Sequence, residues 1–294
     1  MRTPGRIAAF AAVLGVTFGA AALVGAAVDP LRDSEQSHGH GAERMRGHGD
    51  GHGQAAESGP AADQPVGLAV EEGGYRLEPE TTALPLGRAA ELAFRITGPG
   101  GTAVTSFDLE HERRMHLIIV RRDLTGFQHL HPAMDAEGRW RVRLRVPEAG
   151  VYRAYADFSA GGRAMTLATD IVVRGPFAPR SLPAPAPIDA TAGYTVALAT
   201  DGLKAGADAE LAYEVRRNGE PVDDLEPYLG ADGHLVALRE GDLAFLHVHP
   251  EASATPGSIR FGASLPSAGR YRLFLQFKHD GVVKTVAHTL EVPR

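Results

Sequence analysis

Beyond about Leu68 the chain is written in short runs of alternating apolar and polar residues. Trp140-Arg141-Val142-Arg143-Leu144-Arg145-Val146 alternates strictly, and Tyr271-Arg272-Leu273-Phe274-Leu275-Gln276-Phe277 does so in part. A period of two predicts half-buried antiparallel strands. Glycine and proline break the runs at Gly98-Pro99-Gly100-Gly101, Ala149-Gly150, Gly161-Gly162 and Ala268-Gly269, and no helical period intervenes. Roughly seven short strands in a unit of about a hundred residues predict an immunoglobulin-like or cupredoxin-like β-sandwich.

The pattern is present twice. Phe127-Gln128-His129-Leu130-His131-Pro132 recurs as Phe245-Leu246-His247-Val248-His249-Pro250, and the upstream His116 and His234 keep the same offset of 118 positions. Glu91-Leu92-Ala93-Phe94 matches Glu210-Leu211-Ala212-Tyr213, and Pro147, Tyr152 and Phe158 match Pro266, Tyr271 and Phe277. Self-similarity at a fixed spacing marks a tandem duplication. Gly175 to Pro187 is dense in proline and reads as a semi-rigid spacer. The expected organisation is an all-β chain of two sandwiches, residues 68–174 and 188–294, joined by the 175–187 linker.

Before the first sandwich, Arg2 and Arg6 precede an uncharged run from Ile7 to Val28. That length crosses a bilayer as a helix, and its basic flank keeps the N-terminus in the cytoplasm. Small residues at Gly25-Ala26-Ala27 would suit a signal peptidase, whereas the run exceeds a usual signal core of about 7–15 residues. We read residues 1–28 as a retained anchor, with secretion after cleavage as the alternative. Either way the sandwiches lie outside the cytoplasm. Residues 29–67 have few large apolar side chains and predict a disordered tether carrying His38, His40, His48 and His52.

A net charge of −6 and interspersed basic residues offer no stripe for nucleic acid. With 0 cysteines, disulfides and thiolate metal sites are excluded, and imidazole is the ligand left among the 13 histidines. If Gly241-Asp242 forms a two-residue hairpin turn, Glu240 pairs with Leu243 and His234 falls opposite His249, with His247 on the same face. Directly opposed Cβ atoms lie about 4.5–5.5 Å apart, close enough for two imidazoles to share an ion. The constant offset carries this register to His116, His129 and His131. Two triples of nitrogen ligands suit Cu(II), or alternatively Zn(II), with a position left open. His111 is placed to swing over the first triple. His288 is either a fourth ligand of the second copy or a strand residue facing solvent, and His279 reads as a solvated loop residue beside Asp280-Gly281. Met115 alternates away from His116, toward a core.

A lone strand histidine is more often structural than ligating, so an adhesion or assembly module of the cell envelope with structural histidines stands as the alternative to metal binding. An enzyme is not indicated: the acids after each His-x-His are spaced differently in the two copies, and no nucleophile and base are paired. Met115-His116-Leu117-Ile118-Ile119-Val120, Phe127 to Pro132, and Pro227 to Val236 resemble a bacterial family of membrane-anchored extracytoplasmic proteins with tandem His-x-His-Pro sandwich domains, some of them heavy-metal-associated. The resemblance covers both domains and the anchor with its tether. It implies the architecture and brings no settled activity with it. From the histidines we expect sequestration, delivery or resistance toward a metal, with a metal transporter or envelope protein as partner.

Overall fold

A computed structural model describes residues 66–294, apart from His247 and Ala254. All regular structure among the described residues is β-strand, arranged as two sandwiches. One sheet of the first sandwich runs, in spatial order, Glu71–Glu72, Tyr75–Pro79, Ala89–Thr97, Arg139–Arg145 and Ala133–Met134; its other sheet runs Ala83–Leu84, Arg163–Val173, Gly150–Ala160, His116–Arg121 and Gln128–Leu130. The second sandwich sets Ile188–Thr191, Tyr194–Asp201, Ala207–Arg217, Ser258–Leu265 and Val248–Glu251 against a sheet of Phe245–Leu246, His234–Arg239, Gly269–His279 and Val282–Val292. A short Glu220–Pro221 strand pairs with Ala207–Arg217.

Each sandwich closes over its own core. Leu92, Phe94, Trp140, Tyr152, Phe158 and Leu167 fill the first, and Leu211, Tyr213, Phe261, Tyr271, Leu273 and Phe277 fill the second. The Arg139–Arg145 strand behaves as its alternation predicts, with Trp140 and Leu144 buried and its arginines turned to the outer, more accessible face. His116–Arg121 does not alternate, and all six of its residues are buried. Leu117 and Ile119 enter the first core, whereas Ile118 and Val120 enter a third apolar cluster. Leu235 and Ala237 likewise face the second core, and Val236 and Leu238 join the same third cluster. That cluster is a seam where the outer faces of two sheets, one from each sandwich, are packed together. A strand covered on both faces reads as an unbroken apolar run, which is why Leu117-Ile118-Ile119-Val120 and Leu235-Val236-Ala237-Leu238 lack polar interruptions.

The seam repeats itself about a pseudo-two-fold axis, as an interface between two copies of one surface must. Phe127 stacks on Phe274 at 4.2 Å between ring centroids, and the equivalent pair with the repeats exchanged, Phe245 and Tyr155, meets at 5.5 Å. The Tyr155 hydroxyl donates to the Leu243 carbonyl at 2.6 Å, and the Phe245 amide donates to the Val66 carbonyl at 2.9 Å. Gly67 sits between these groups with φ of 70°, and a Cβ there would lie 2.9 Å from both Phe245 and the Tyr155 ring. The 175–187 connection runs exposed and without regular structure except at Leu182, which is buried in the same cluster. Each large apolar side chain so buried stabilises by about 1.5–3 kcal/mol, which puts the seam on the scale of a domain core.

Candidate metal centre

His116 opens its strand on the face that carries Ile118, the face turned to the seam. Ile118 pairs with His129 on the neighbouring strand, so His129 projects from that same face beside His116. His131 follows two residues later, beyond the end of the Gln128–Leu130 strand. The three rings converge: centroids lie 5.2 Å apart for His116 with His129, 5.2 Å for His116 with His131, and 4.7 Å for His129 with His131. One nitrogen from each lies within 4.8 Å of the others.

Hydrogen bonds on the far side of two rings decide where their protons sit. His116 Nε2 is 3.0 Å from the Glu110 carbonyl, which can only accept, so Nε2 carries the hydrogen and Nδ1 is bare. His129 Nδ1 is 2.6 Å from Gln276 Oε1, and Gln276 Nε2 donates to Thr285 Oγ1 at 3.3 Å. With the amide in this placement, His129 holds its hydrogen on Nδ1 and leaves Nε2 bare. The two bare nitrogens, His116 Nδ1 and His129 Nε2, face each other at 3.0 Å. Neutral imidazoles in these tautomers oppose two lone pairs, and a cation between them relieves the repulsion. A proton is disfavoured in that role. Burial lowers His129 to about 3 and His131 to about 4, and it lowers His116 as well. Two nitrogens bound about 2.0–2.1 Å from one tetrahedral ion are roughly 3.3 Å apart, close to the spacing already present. Donation of the outer N–H to a carbonyl or amide oxygen is the usual way a protein orients a metal-binding imidazole.

His131 Nε2 is buried and has no protein partner, as is Trp140 Nε1. Both residues line a cavity of about 230 Å³ that also takes in Arg113, Arg114 and Met134. Over the cluster lies a tight turn in which Glu110 and Arg113 exchange backbone hydrogen bonds of 2.8 and 2.9 Å. Its central residues, His111 and Glu112, have φ of 46° and 63°, a left-handed conformation that disfavours residues with a Cβ. The turn places the His111 ring 6.1 Å from His116 and presents the Glu110 carbonyl to His116 Nε2. Strain held at a site that positions ligands is a pointer to function.

Among the described residues, the second repeat does not gather the same set. Its hairpin keeps the expected register, with Ala237 opposite Leu246 and Leu238 opposite Phe245. The strand then ends, and Val248–Glu251 pairs with Ser258–Leu265 on the opposite sheet. His249 lies across from Gly262 and is exposed, so it is not the partner of His234 that the turn geometry implies. Pro250 is accommodated there because this strand is a sheet edge. His247 falls outside the described residues, as do His38, His40, His48, His52 and the run from Ile7 to Val28. Among the described residues, no helix is long and apolar enough to cross a membrane.

His234 meets the first repeat instead. Its ring lies 4.7 Å from His129, 5.6 Å from His116 and 5.8 Å from His111, and enclosure among these groups lowers its pKa well below 6.5. His288 is neither a ligand of this cluster nor solvent-facing. It is buried in the second core, with Nε2 3.2 Å from the Val196 carbonyl. His279 is buried rather than solvated, bonded to the Tyr194 hydroxyl at 2.6 Å and to Asp224 at 2.8 Å. Met115 is core, as its alternation indicates. Neither Gln276 nor the Glu110 carbonyl carries a direct mark in the chain as an orienting group. The signal present was positional, since Gln276 occupies in the second repeat the place of Asp157 in the first.

No match to the sequence is found among curated proteins. Solved structures similar in fold include FdeC, an Escherichia coli adhesin (12% identity over 77% of this chain and 66% of that one, TM-score 0.26). InvD of Yersinia pseudotuberculosis is similar over 74% of this chain and 57% of that one (12% identity, TM-score 0.25). Invasin, a bacterial integrin-binding protein, is similar over 74% and 39% (14% identity, TM-score 0.23). The chain thus spans no more than about two thirds of these proteins, and likeness at this level carries no inference about activity. Residues 69–175 and 189–294 each match the domain of unknown function DUF8832, so the chain belongs to that family and carries its domain twice.

Proposed function

We propose that this protein is an extracytoplasmic transition-metal binding protein, taking copper in preference to zinc through His116, His129 and His131, and that it sequesters or delivers the ion. One observation supports this above the rest: the three imidazoles converge, and two of their nitrogens face each other at 3.0 Å with an acceptor placed behind each ring. An all-nitrogen set without thiolate suits Cu(II) and Zn(II), and copper(II) leads the affinity order. Ile7–Val28 would hold the sandwiches at the outer surface of the membrane, where a transporter or envelope protein is the natural partner; recovery of the chain in the membrane fraction checks this placement.

The test uses the full chain with His38→Ala, His40→Ala, His48→Ala and His52→Ala, which silences chelation by the tether. On titration with Cu(II) we expect saturable uptake, nitrogen hyperfine structure in the paramagnetic resonance spectrum, and quenching of Trp140, the single tryptophan, which lines the same cavity as His131. His129→Ala is expected to weaken binding by at least 100-fold. Equal and weak binding by both proteins would overturn the metal reading and leave the histidines as structural members of an adhesion or assembly module.

A further inference from the structure

The duplication would lead one to expect two equivalent metal sites. We infer that the chain instead builds one, on the seam between its repeats, with His234 of the second repeat as the fourth ligand, so that the ion fastens the two sandwiches to each other. This rests on the metal reading above and adds to it a ligand, a stoichiometry and a mechanical consequence.

The pseudo-two-fold seam is the starting point. An axis that sets Phe127 on Phe274 and Phe245 on Tyr155 must bring equivalent residues near the axis face to face. His116 and His234 are such a pair, and their rings lie 5.6 Å apart with planes within 9° of parallel. Their turns meet as well: Tyr228 and Ala231 repeat the Glu110–Arg113 turn, and a Cβ on Gly230 would lie 3.8 Å from Glu112 Cγ.

The spacing of the rings fits a single ion. Imidazoles bound through nitrogen at about 2.0–2.1 Å around a tetrahedral ion have centroids roughly 5 Å apart. The separations among His116, His129 and His131, and from His234 to His116 and His129, run from 4.7 to 5.6 Å. His234 now meets the set ring to ring, and turning its imidazole toward the ion is the movement that binding adds.

Among the described residues the second repeat does not gather the expected triple, because His249 has left the hairpin for the far sheet and is exposed. The same repeat already serves the first, since Gln276 hydrogen-bonds His129 across the seam. Among the described residues, the first repeat thus brings three histidines to the centre and the second brings His234.

The experiment compares wild type, His129→Ala, His234→Ala and the near-isosteric His234→Gln, all as full chains carrying the four tether substitutions, with circular dichroism to confirm folding. Wild type is expected to take one Cu(II), and both His234 variants to bind 10- to 100-fold more weakly with one fewer nitrogen in the hyperfine pattern. Zn(II) is expected to slow hydrogen exchange of the Phe245 amide, which bonds Val66 across the seam, in wild type and not in the His234 variants. If the His234 variants bind like wild type while His129→Ala does not, the shared centre is overturned and the metal reading stands. Two ions per wild-type chain would overturn it equally. If His129→Ala also binds like wild type, the metal reading itself falls.

Discussion

In the first repeat the chain runs along the Gln128–Leu130 strand, keeps His131 against the cluster, and joins the opposite sheet only at Ala133. In the second it leaves the hairpin after Leu246 and is paired on the opposite sheet from Val248. The hairpins share their sequence pattern and their register, and the offset between repeats is 118 at both His-Pro steps. By Pro147 and Pro266 it is 119, so the second repeat has one more residue in this connection. The point at which a strand changes sheets decides which neighbours its side chains meet. Matching motifs therefore end differently among the described residues: three imidazoles gathered in one copy, and an exposed His249 in the other.

Acid should separate the two hairpins most strongly. His116, His129, His131 and His234 are buried as neutral rings with folded pKa values held below 6.5, so the unfolded chain binds protons that the folded chain refuses. Stability from this source is complete above about pH 6.5 and is lost as pH falls, for His129 and His131 until their folded values of about 3 and about 4 are reached. Each such histidine contributes a slope of up to about 1.4 kcal/mol per pH unit in that window. We expect several kcal/mol to be lost between pH 6.5 and 4 in urea unfolding of metal-free protein. His129→Gln should flatten the limb, whereas His249→Gln, on an exposed residue, should leave it unchanged. Equal flattening by both would break the contrast between the hairpins.

Much of this was legible in the chain before folding. The duplication, the two sandwiches and the hairpin pairing of Ala237 with Leu246 follow from spacing and turn chemistry, because those are local. The sheet change at Val248 was not, since Phe-x-His-x-His-Pro reads the same in both copies and the outcome depends on which sheet edge lies open to the chain. The seam left a trace that was readable in principle: Leu117-Ile118-Ile119-Val120 and Leu235-Val236-Ala237-Leu238 are unbroken where a strand with one wet face alternates. Sequence offset alone could not tell that the partner covering each run is the other repeat. Hence it could not place His234 beside His116.

The seam aromatics give an effect of intermediate size. Phe274 is buried against Phe127 at 4.2 Å, whereas Phe245 meets Tyr155 at the looser 5.5 Å and an angle of 52°. Truncation of a buried Phe costs about 3–5 kcal/mol where the site cannot collapse. Phe274→Ala is expected at the lower end, about 3 kcal/mol, because one side of the seam can close on the gap. In double-mutant cycles the Phe127–Phe274 coupling should fall at about 1 kcal/mol and exceed the Phe245–Tyr155 coupling. Chemical denaturation of the single and double variants gives both numbers. The reverse order would mean that the pseudo-symmetric contacts are not ranked by their ring geometry.

The smallest difference lies in the paired turns. Glu110–Arg113 and Tyr228–Ala231 have the same backbone form, with left-handed residues at both central positions: His111 and Glu112 in the first, Leu229 and Gly230 in the second. Glycine takes that conformation freely, whereas a side chain there costs about 1–2 kcal/mol per residue. The second repeat avoids the strain at one position that the first accepts. Glu112→Gly should therefore stabilise by about 1 kcal/mol, reduced somewhat by the greater freedom of glycine in the unfolded chain, and Gly230→Ala should destabilise by a similar amount. Urea midpoints with an unchanged denaturant slope check both. The two substitutions also bear on the candidate centre, because the first turn carries the Glu110 carbonyl that fixes His116. If Glu112→Gly raises stability yet loosens metal binding, the strain holds that carbonyl in place. If stability and binding both rise, the left-handed glutamate has no part in the site.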